Sequence, residues 1–375
     1  MKYNKFIFLY TSNFCARVND FFCIEEWIAH GYDMEYWDLS AFTCHEHIAD
    51  YKVDGLTIKK IQSIKEFSIL VKEYKQYTTL YLTWVNYCWY SAGFYRVLSK
   101  YNCDYAFFDN GLQPSFSKGI KRKLTLEKIK SVLRNRYYSV IGRPFFLKPA
   151  NYYFQLSESF VGVDKANKNT INSWCNSGDY ERNRKLQIID EGKYVVFLDQ
   201  YIPYHNDNVL NGQKMVNPEE YYQSLNRCFS LIEKQYRIPV VIAAHPAAAK
   251  YKEINPFEGR KIIFNKTAEL VKYSDLVLAH FTTAINYVVL NEKRMILITS
   301  NAIKEVRPSV EYQINNIASI LGAPCINQDE VTQKDIILEQ VNLQKYEDYK
   351  YRYTTNHFSE MKSNFDNIIQ TIENK

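Results

Sequence analysis

The stretch 238–286 contains three short apolar runs: IPVVIAA (238–244), KIIF (261–264) and DLVLA (275–279). Each run has the length of a buried strand, and polar residues that open a helix-like segment follow it. In an open α/β sheet, polar clusters of this kind gather at the carboxyl ends of the parallel strands, where ligands bind. The stretch therefore predicts an α/β domain with a ligand-binding edge.

The same alternation of strand-like and helix-like segments continues on both sides of this stretch. Further strand-like runs occur at 5–10, 33–39, 78–83, 104–108, 151–156, 193–198 and 294–299. A chain of 375 residues exceeds one ordinary hydrophobic core and fits two domains. We predict two Rossmann-like α/β domains, 1–185 and 186–350, that face each other across a cleft. A C-terminal helix in 351–375 follows, for which packing against the first domain is one option.

Two connecting segments carry more local predictions. Residues Thr11, Ser12 and Asn13 follow the first strand and can cap a helix that stops near Gly31. The polar segment 164–187 is expected to be exposed and to lead to the domain boundary.

Glycine usage and one polar cluster bear on cofactors. Only 12 glycines occur in 375 residues, and no GxGxxG motif follows the first strand, which argues against a nicotinamide cofactor. Cys44-His45-Glu46-His47 is a metal-like cluster, but adjacent loop residues rarely present three ligands to one ion. We interpret it as a solvated turn, and we expect neither a metal nor a cofactor beyond the substrates.

Cysteine usage and the lengths of the apolar runs bear on location. The eight cysteines are scattered without a CxxC pair. The run 6–10 is shorter than the core of a signal peptide, and no stretch reaches the length of a transmembrane helix. We therefore predict a reduced, cytoplasmic protein.

The net charge of +6 is concentrated in one segment. Residues 118–136 hold eight basic residues and one acidic residue, so the remainder of the chain is almost neutral. Leu126, Ile129, Leu133 and Tyr137 recur at helical spacing, which predicts an amphipathic basic helix over 118–140. Two interpretations stay open: peripheral contact with an anionic inner membrane or polyanionic acceptor, or a surface helix whose apolar face joins the core. No recognition motif accompanies the charge, so we do not expect nucleic acid as a partner.

Polar residues after the strands of the second domain are candidates for a nucleotide-sugar site. His245 stands where a strand ends and Pro246 removes the next ladder donor, so its ring can donate to a phosphate or protonate a leaving group. Thr282 and Thr283 open a helix-like segment, where hydroxyl and N–H groups favour an anion. The other donor-side candidates are Lys266, Thr267, Glu269 (toward the ribose) and His280. A buried structural histidine and ordinary helix N-caps are the alternatives to these roles.

The first domain offers candidates for the acceptor side. Asp109 ends a predicted strand and is followed by Asn110 and Gly111, so a carboxylate faces the carboxyl edge of that sheet. An ordinary Asp-Asn-Gly turn is the alternative. The remaining acceptor-side candidates are Thr11, Ser12 and Asn13 in the first domain and Gln200 and His205 in the second.

Three short motifs taken together resemble a known family. Asp109-Asn110-Gly111, His245-Pro246 and Thr282-Thr283 are similar to the acidic-acidic-Gly, His-Pro and Ser/Thr-pair motifs of bacterial sialyltransferases and related capsule-polysaccharide transferases with a GT-B fold. The resemblance implies inverting, metal-independent transfer from a CMP-activated nonulosonic acid. It assigns Asp109 as general base and His245, Thr282 and Thr283 to the phosphate. Asn110 departs from the second acidic position.

Three hypotheses for function follow. The first is a GT-B glycosyltransferase that moves a sialic-acid-like sugar from a CMP-sugar to a surface glycan such as capsule, O-antigen or lipooligosaccharide. The second is a UDP-sugar-dependent transferase or epimerase of the same fold. The third, from another class, is a non-catalytic polyanion- or membrane-binding protein built around 118–140.

Overall fold

The computed structural model describes residues 2–42, 51–109, 133, 136–137, 147–156, 167–204, 215–337 and 339–374. These residues form two compact units. The first unit includes the described residues of 2–109, 147–181 and 354–374, and the second includes those of 182–353. Among the described residues, the chain thus passes between the units at 181/182 and 353/354, whereas the boundaries predicted from the sequence are 185/186 and 350/351.

The first unit contains a seven-stranded sheet with the order β3-β2-β1-β4-β5-β6-β7, and its neighbours are all parallel. The strands are β1 Lys5–Tyr10, β2 Met34–Asp38, β3 Thr57–Lys60, β4 Thr79–Thr83, β5 Asp104–Asp109, β6 Tyr152–Gln155 and β7 Ile171–Trp174. Phe6 and Phe8 enter the core on one face of this sheet, and Ile7 and Leu9 enter the core on the other. A sheet that is buried on both faces explains why its central strands read as continuous apolar runs.

Helices cover both faces of the first sheet. Those described in this unit are α1 Ala16–Phe22, α2 Ile24–Ala29, α3 Ile64–Glu73, α4 Ala92–Lys100, α5 Gly178–Arg184, which ends in the second unit, and α12 Asn364–Glu373. Phe22, Trp27 and Phe365, from α1, α2 and α12, join one core, whereas Phe67 and Phe94, from α3 and α4, join the other.

Buried polar contacts fasten the C-terminal segment of the chain to the first unit. The Glu181 carboxylate is fully buried and accepts hydrogen bonds from Asn176 Nδ2 at 2.7 Å and from the Asn364 backbone N–H at 3.1 Å. The backbone N–H of Ser177 donates to the Thr354 carbonyl at 2.8 Å. Because both crossing points of the chain meet in this cluster, α12 is an integral part of the first unit.

The second unit contains a six-stranded parallel sheet with the order β10-β9-β8-β11-β12-β13. Its strands are β8 Val195–Leu198, β9 Val240–Ala243, β10 Ile262–Ile263, β11 Leu276–Ala279, β12 Met295–Thr299 and β13 Cys325–Asn327. Its helices include α6 Pro218–Tyr236, α7 Thr267–Tyr273, α8 Ile285–Leu290, α9 Asn301–Val306, α10 Pro308–Leu321 and α11 Leu343–Tyr353. Numbered within the unit, the strand order is 3-2-1-4-5-6, which is the dinucleotide-binding arrangement.

Two parallel α/β units confirm the predicted class, and the structure corrects two local predictions. The first helix begins at Ala16 after an N-cap at Cys15, not at Thr11–Asn13, and it breaks at Cys23, whose φ is 52°. The segment 164–187 was predicted to be exposed. In the part that is described it forms β7 and α5, and Thr170, Cys175 and Glu181 are buried there.

Candidate functional site

The carboxyl edge of the second sheet has a topological switch point between β8 and β11. These two strands are parallel neighbours, and the chain continues outward from them in opposite directions, through β9 on one side and β12 on the other. Ligands of open α/β sheets bind in the crevice that such a reversal leaves outside the strand ends. The residues that leave β8 and β11 begin at Asp199 and His280.

Gln200 links the two loops at this switch point. Its side-chain oxygen accepts a hydrogen bond from the Phe281 backbone N–H at 3.0 Å. Gln200 was predicted on the acceptor side, but the structure places it in the second unit beside donor-side candidates. The loop at β8 is also strained, since Tyr201 has φ 54° in the left-handed region that favours glycine.

His245 lies half-buried in the turn that follows β9. Its Nδ1 accepts a hydrogen bond from the Ala247 backbone N–H at 3.2 Å, and its carbonyl accepts from the Ala248 N–H at 2.9 Å. Because Nδ1 acts as an acceptor, the neutral ring carries its hydrogen on Nε2. In this tautomer Nε2–H is a hydrogen-bond donor, and donation from it to a phosphate stays a prediction. Pro246 is exposed beside it.

His280 has a different environment, although it also follows a strand directly. It is fully buried, its Nδ1 lies 2.6 Å from the Ile298 carbonyl, and its Nε2 lies 2.8 Å from the Tyr221 hydroxyl. Burial lowers the pKa of this imidazole to about 4, so the neutral ring donates to Ile298 and accepts from Tyr221. Both ring nitrogens form hydrogen bonds within the protein. His280 is therefore a core residue here, and its ring does not offer the predicted contact with the nucleotide-sugar donor.

Glu269 is likewise occupied within the protein. Its carboxylate is buried in α7, forms an ion pair with Arg182 at 2.5 Å and lies 3.9 Å from Lys266 Nζ. This pairing differs from the predicted contact with a ribose, because the buried charge already has a cation. Lys266 and Thr267 are partly exposed at the start of α7.

Thr282 and Thr283 lie in the turn between β11 and α8. Thr282 Oγ1 accepts a hydrogen bond from the Ala284 backbone N–H at 3.2 Å, and the Thr283 side chain is exposed. A threonine hydroxyl that accepts one hydrogen bond still has its hydrogen to donate. The two hydroxyls therefore stand at the end of a strand that borders the switch point.

Asp199 is a residue of this edge to which the sequence analysis assigned no role. It is 5% exposed, its Oδ1 accepts from the Tyr201 backbone N–H at 3.1 Å, and its Oδ2 has no hydrogen-bond partner among the described residues. Burial raises the pKa of this carboxyl to about 6. The Tyr251 hydroxyl and the backbone N–H groups of His245 and Gln200 approach it and pull its pKa in the opposite direction. A carboxylate directly after an apolar strand was the signal in the sequence.

Asp109 ends β5 in the first unit, as the sequence predicts. It is almost fully buried, it pairs in register with Gln155 of β6, and its Oδ2 accepts a hydrogen bond from the Tyr153 hydroxyl at 3.3 Å. Thr11, Ser12 and Asn13 follow β1, where the Ser12 hydroxyl donates to the Asn13 carbonyl at 3.0 Å. Because β4 lies between β1 and β5, the two groups are separated by about 10 Å along the sheet edge.

Several predictions lie outside the described residues: Asn110, Gly111, His205, the cluster Cys44–His47 and most of the basic segment 118–140. Within the described part of the chain, no group of three or more His, Cys, Asp or Glu side chains could hold a metal ion. None of the described helices combines the length and the apolar character that crossing a membrane requires.

Known proteins resemble this chain in fold but not in sequence. No protein-family model and no curated sequence matches this chain. Similar solved structures include a variant of the wall teichoic acid polymerase TagF, at 9% identity and TM-score 0.55 over 99% of this chain and 90% of the other. The glycosyltransferase SnogD from Streptomyces nogalater is similar at 9% identity and TM-score 0.50, over 98% of both chains. UDP-GlcNAc 2-epimerase from Methanocaldococcus jannaschii is similar at 14% identity and TM-score 0.50, over 99% of this chain and all of the other.

These similarities confirm the predicted GT-B-like fold class. At identities of 9–14% they are evidence of the fold alone.

Proposed function

We propose that this chain is an inverting glycosyltransferase that binds a nucleotide sugar at the carboxyl edge of its second sheet. The observation that carries the proposal is the His245 turn. Its ring presents an Nε2–H donor at the end of β9, beside the switch point of a sheet with dinucleotide-binding strand order. In a nucleotide sugar, the sugar is bonded to a phosphate oxygen of the nucleotide, and the nucleotide leaves with that phosphate when the sugar is transferred.

His245 would stabilise the departing nucleotide. As the bond between the anomeric carbon and the phosphate oxygen breaks, negative charge grows on that oxygen, and a donor held in place by the protein is stabilising there. The Ala247 N–H fixes the orientation of the His245 ring through Nδ1, so the ring needs less reorientation when the nucleotide departs. The hydroxyls of Thr282 and Thr283 are the other candidate donors to the phosphate.

Asp109 would serve as the general base. The acceptor hydroxyl oxygen attacks the anomeric carbon, its proton passes to the Asp109 carboxylate, and the nucleotide leaves with the electron pair of the broken C–O bond. The Tyr153 hydroxyl, which donates to Oδ2, orients this carboxylate. No metal is required in this scheme.

For the donor we propose a CMP-activated nonulosonic acid and for the acceptor a surface glycan. This choice depends on the combination of Asp109-Asn110-Gly111, His245-Pro246 and Thr282-Thr283, which resembles the motif set of bacterial sialyltransferases. A UDP-sugar transferase or epimerase would have the same fold, so the measurement that separates these alternatives is which nucleotide the protein binds.

Thermal-shift titration with CMP, UDP, TDP and GDP tests the proposal directly. A nucleotide at about 100 times its dissociation constant stabilises the folded protein by about 2.7 kcal/mol. We expect the largest shift with CMP, and a larger shift with UDP would transfer the proposal to the UDP-sugar alternative. If none of the four shifts the transition, the non-catalytic alternative replaces the enzyme.

Two substitutions separate the proposed roles. His245→Ala should weaken nucleotide binding, whereas His357→Ala, at a histidine whose side chain is 62% exposed in the first unit, should not. Asp109→Asn should leave nucleotide binding intact and reduce transfer by at least about 100-fold, the usual contribution of general base catalysis. Full transfer by Asp109→Asn would remove this residue as the base.

A further inference from the structure

We propose that Asp199 is a positioning residue of this site: its ionised carboxylate holds the backbone N–H of His245 and so keeps the His245 ring in place for the donor phosphate. The inference rests on the proposed function. It adds a residue that neither the three motifs nor the fold assigns.

The geometry around Asp199 ties two strand ends together. Its backbone N–H makes the last ladder bond between β8 and β9, to the Ala243 carbonyl at 3.2 Å. The N–H groups of β9 alternate between its two neighbours: the Ala244 N–H donates to the Ile263 carbonyl after β10, so the next N–H on the β8 side is that of His245. The Asp199 side chain lies at this point, with Oδ1 on the Tyr201 N–H and the His245 N–H approaching the carboxylate.

The burial of Asp199 shows that its charge is not a surface feature. A buried carboxylate is costly unless hydrogen bonds compensate for it, yet Oδ2 lacks a partner within hydrogen-bonding geometry among the described residues. A small closing movement of the His245 turn or of the Tyr251 hydroxyl toward Oδ2 would satisfy this oxygen. The ionised carboxylate therefore favours the tightly held turn, and the protonated carboxyl favours it less.

The other titratable groups that face Asp199 stay neutral over the working pH range. They are the phenols of Tyr201, Tyr221, Tyr222 and Tyr251, and burial raises the pKa of each above its ordinary value. Tyr222 and Tyr251, on α6 and on the 3-10 turn Ala249–Lys252, share a hydroxyl–hydroxyl hydrogen bond of 2.7 Å. The His245 ring is present in both of the proteins that the test compares, so it does not contribute to their difference.

Asp199→Asn keeps the size of the side chain and one acceptor oxygen but cannot ionise. Hydrogen bonds to a charged acceptor are about 1 kcal/mol stronger than those to a neutral one, which corresponds to roughly a fivefold to tenfold loss of affinity. The probe is whichever of CMP, UDP, TDP or GDP binds the wild-type protein most tightly by calorimetry. We expect the ratio of the two dissociation constants, variant over wild type, to be about 5–10 near pH 8 and to approach 1 as the pH falls through 6.

Tyr251→Phe supplies a readout that a merely structural role would not move. The Tyr251 hydroxyl favours the ionised form of Asp199, so its removal raises the pKa of the carboxyl. When Tyr251→Phe is added to both the wild type and Asp199→Asn, the ratio of their dissociation constants should approach 1 at a higher pH than it does without Tyr251→Phe. A ratio near 1 near pH 8, or one that does not change with pH, would overturn the proposal.

A measurement without ligand separates failure of this inference from failure of the proposed function. The chain has seven histidines, so ¹⁵N-histidine labelling gives few amide signals, and His245→Gln assigns the relevant one by its absence. We expect the His245 amide proton shift to differ between wild type and Asp199→Asn at high pH and to converge below pH 6. Superimposable curves reject the positioning role even if nucleotides bind. Divergent curves without nucleotide binding keep the contact but reject the enzyme, and with it the role in transfer.

Discussion

Replacement of His280 by leucine distinguishes a core histidine from a ligand contact. Leucine fills a similar volume but cannot accept from the Tyr221 hydroxyl or donate to the Ile298 carbonyl. Two buried polar groups then lose their partner, at about 1–3 kcal/mol each. We expect His280→Leu to lower the unfolding free energy of the second unit by about 2–6 kcal/mol near neutral pH.

The pH dependence of this loss has a definite sign. The pKa of His280 is lowered from 6.5 to about 4, so between these values the unfolded chain binds a proton that the folded protein does not. The stability that the wild-type histidine contributes is therefore fully present above pH 6.5 and is lost as the pH falls toward 4. A pKa difference of this size corresponds to about 3 kcal/mol, by which the gap between wild type and His280→Leu should narrow.

Urea unfolding at several pH values measures this gap. All five tryptophans lie in the first unit, so far-ultraviolet circular dichroism is needed to follow the second unit, and tryptophan fluorescence serves as an internal control that should not change. A gap that is independent of pH would refute the buried neutral imidazole. Weaker nucleotide binding with unchanged stability would restore the predicted donor-binding role of His280.

Three further outcomes are expected. Glu181→Ala leaves the Asn364 N–H without its acceptor, so it should lower the unfolding free energy of the first unit, followed by tryptophan fluorescence, by about 2–4 kcal/mol. The control Glu373→Ala, at the exposed end of α12, should change this free energy by no more than about 0.5 kcal/mol. Glu269→Ala removes the buried partner of the partly exposed Arg182 cation and should cost about 2 kcal/mol by urea unfolding without weakening nucleotide binding; weaker binding at full stability would support the ribose role. If 118–140 contacts anionic membranes, sedimentation with phosphatidylglycerol vesicles should fall steeply with salt, and salt-insensitive or absent binding would exclude that contact.

The predictable part of the fold follows from burial on two faces. The central strands β1, β4, β8, β9 and β11 are continuous apolar runs because helices cover both sides of each sheet. The edge strand Thr57–Lys60 was missed because most of its side chains are exposed, so its sequence carries no apolar run. The break of the first helix at Cys23 was also missed, since a left-handed residue that is not glycine leaves no mark in the sequence.

The candidate site was predictable in position but less so in chemistry. His245 and His280 both follow apolar strands, and the sequence treats them alike. They differ because Tyr221 reaches His280 from α6, about 60 residues earlier in the chain, whereas Nδ1 of His245 is held by its own turn. Asp199 was overlooked for a related reason, since its burial depends on tyrosines contributed by α6 and by the turn after β9.

The path of the chain also constrains the order in which the protein can fold during synthesis. Among the described residues, the second unit is one continuous segment, 182–353, whereas the first unit needs α12 to complete its core. A nascent chain can therefore finish the second unit while Trp27 and its neighbours still wait for Phe365. Domains generally fold as units as they leave the ribosome, often N-terminal first. We therefore expect the first unit of this chain to close last, with the apolar surface that Phe365 covers exposed until α12 has been synthesised.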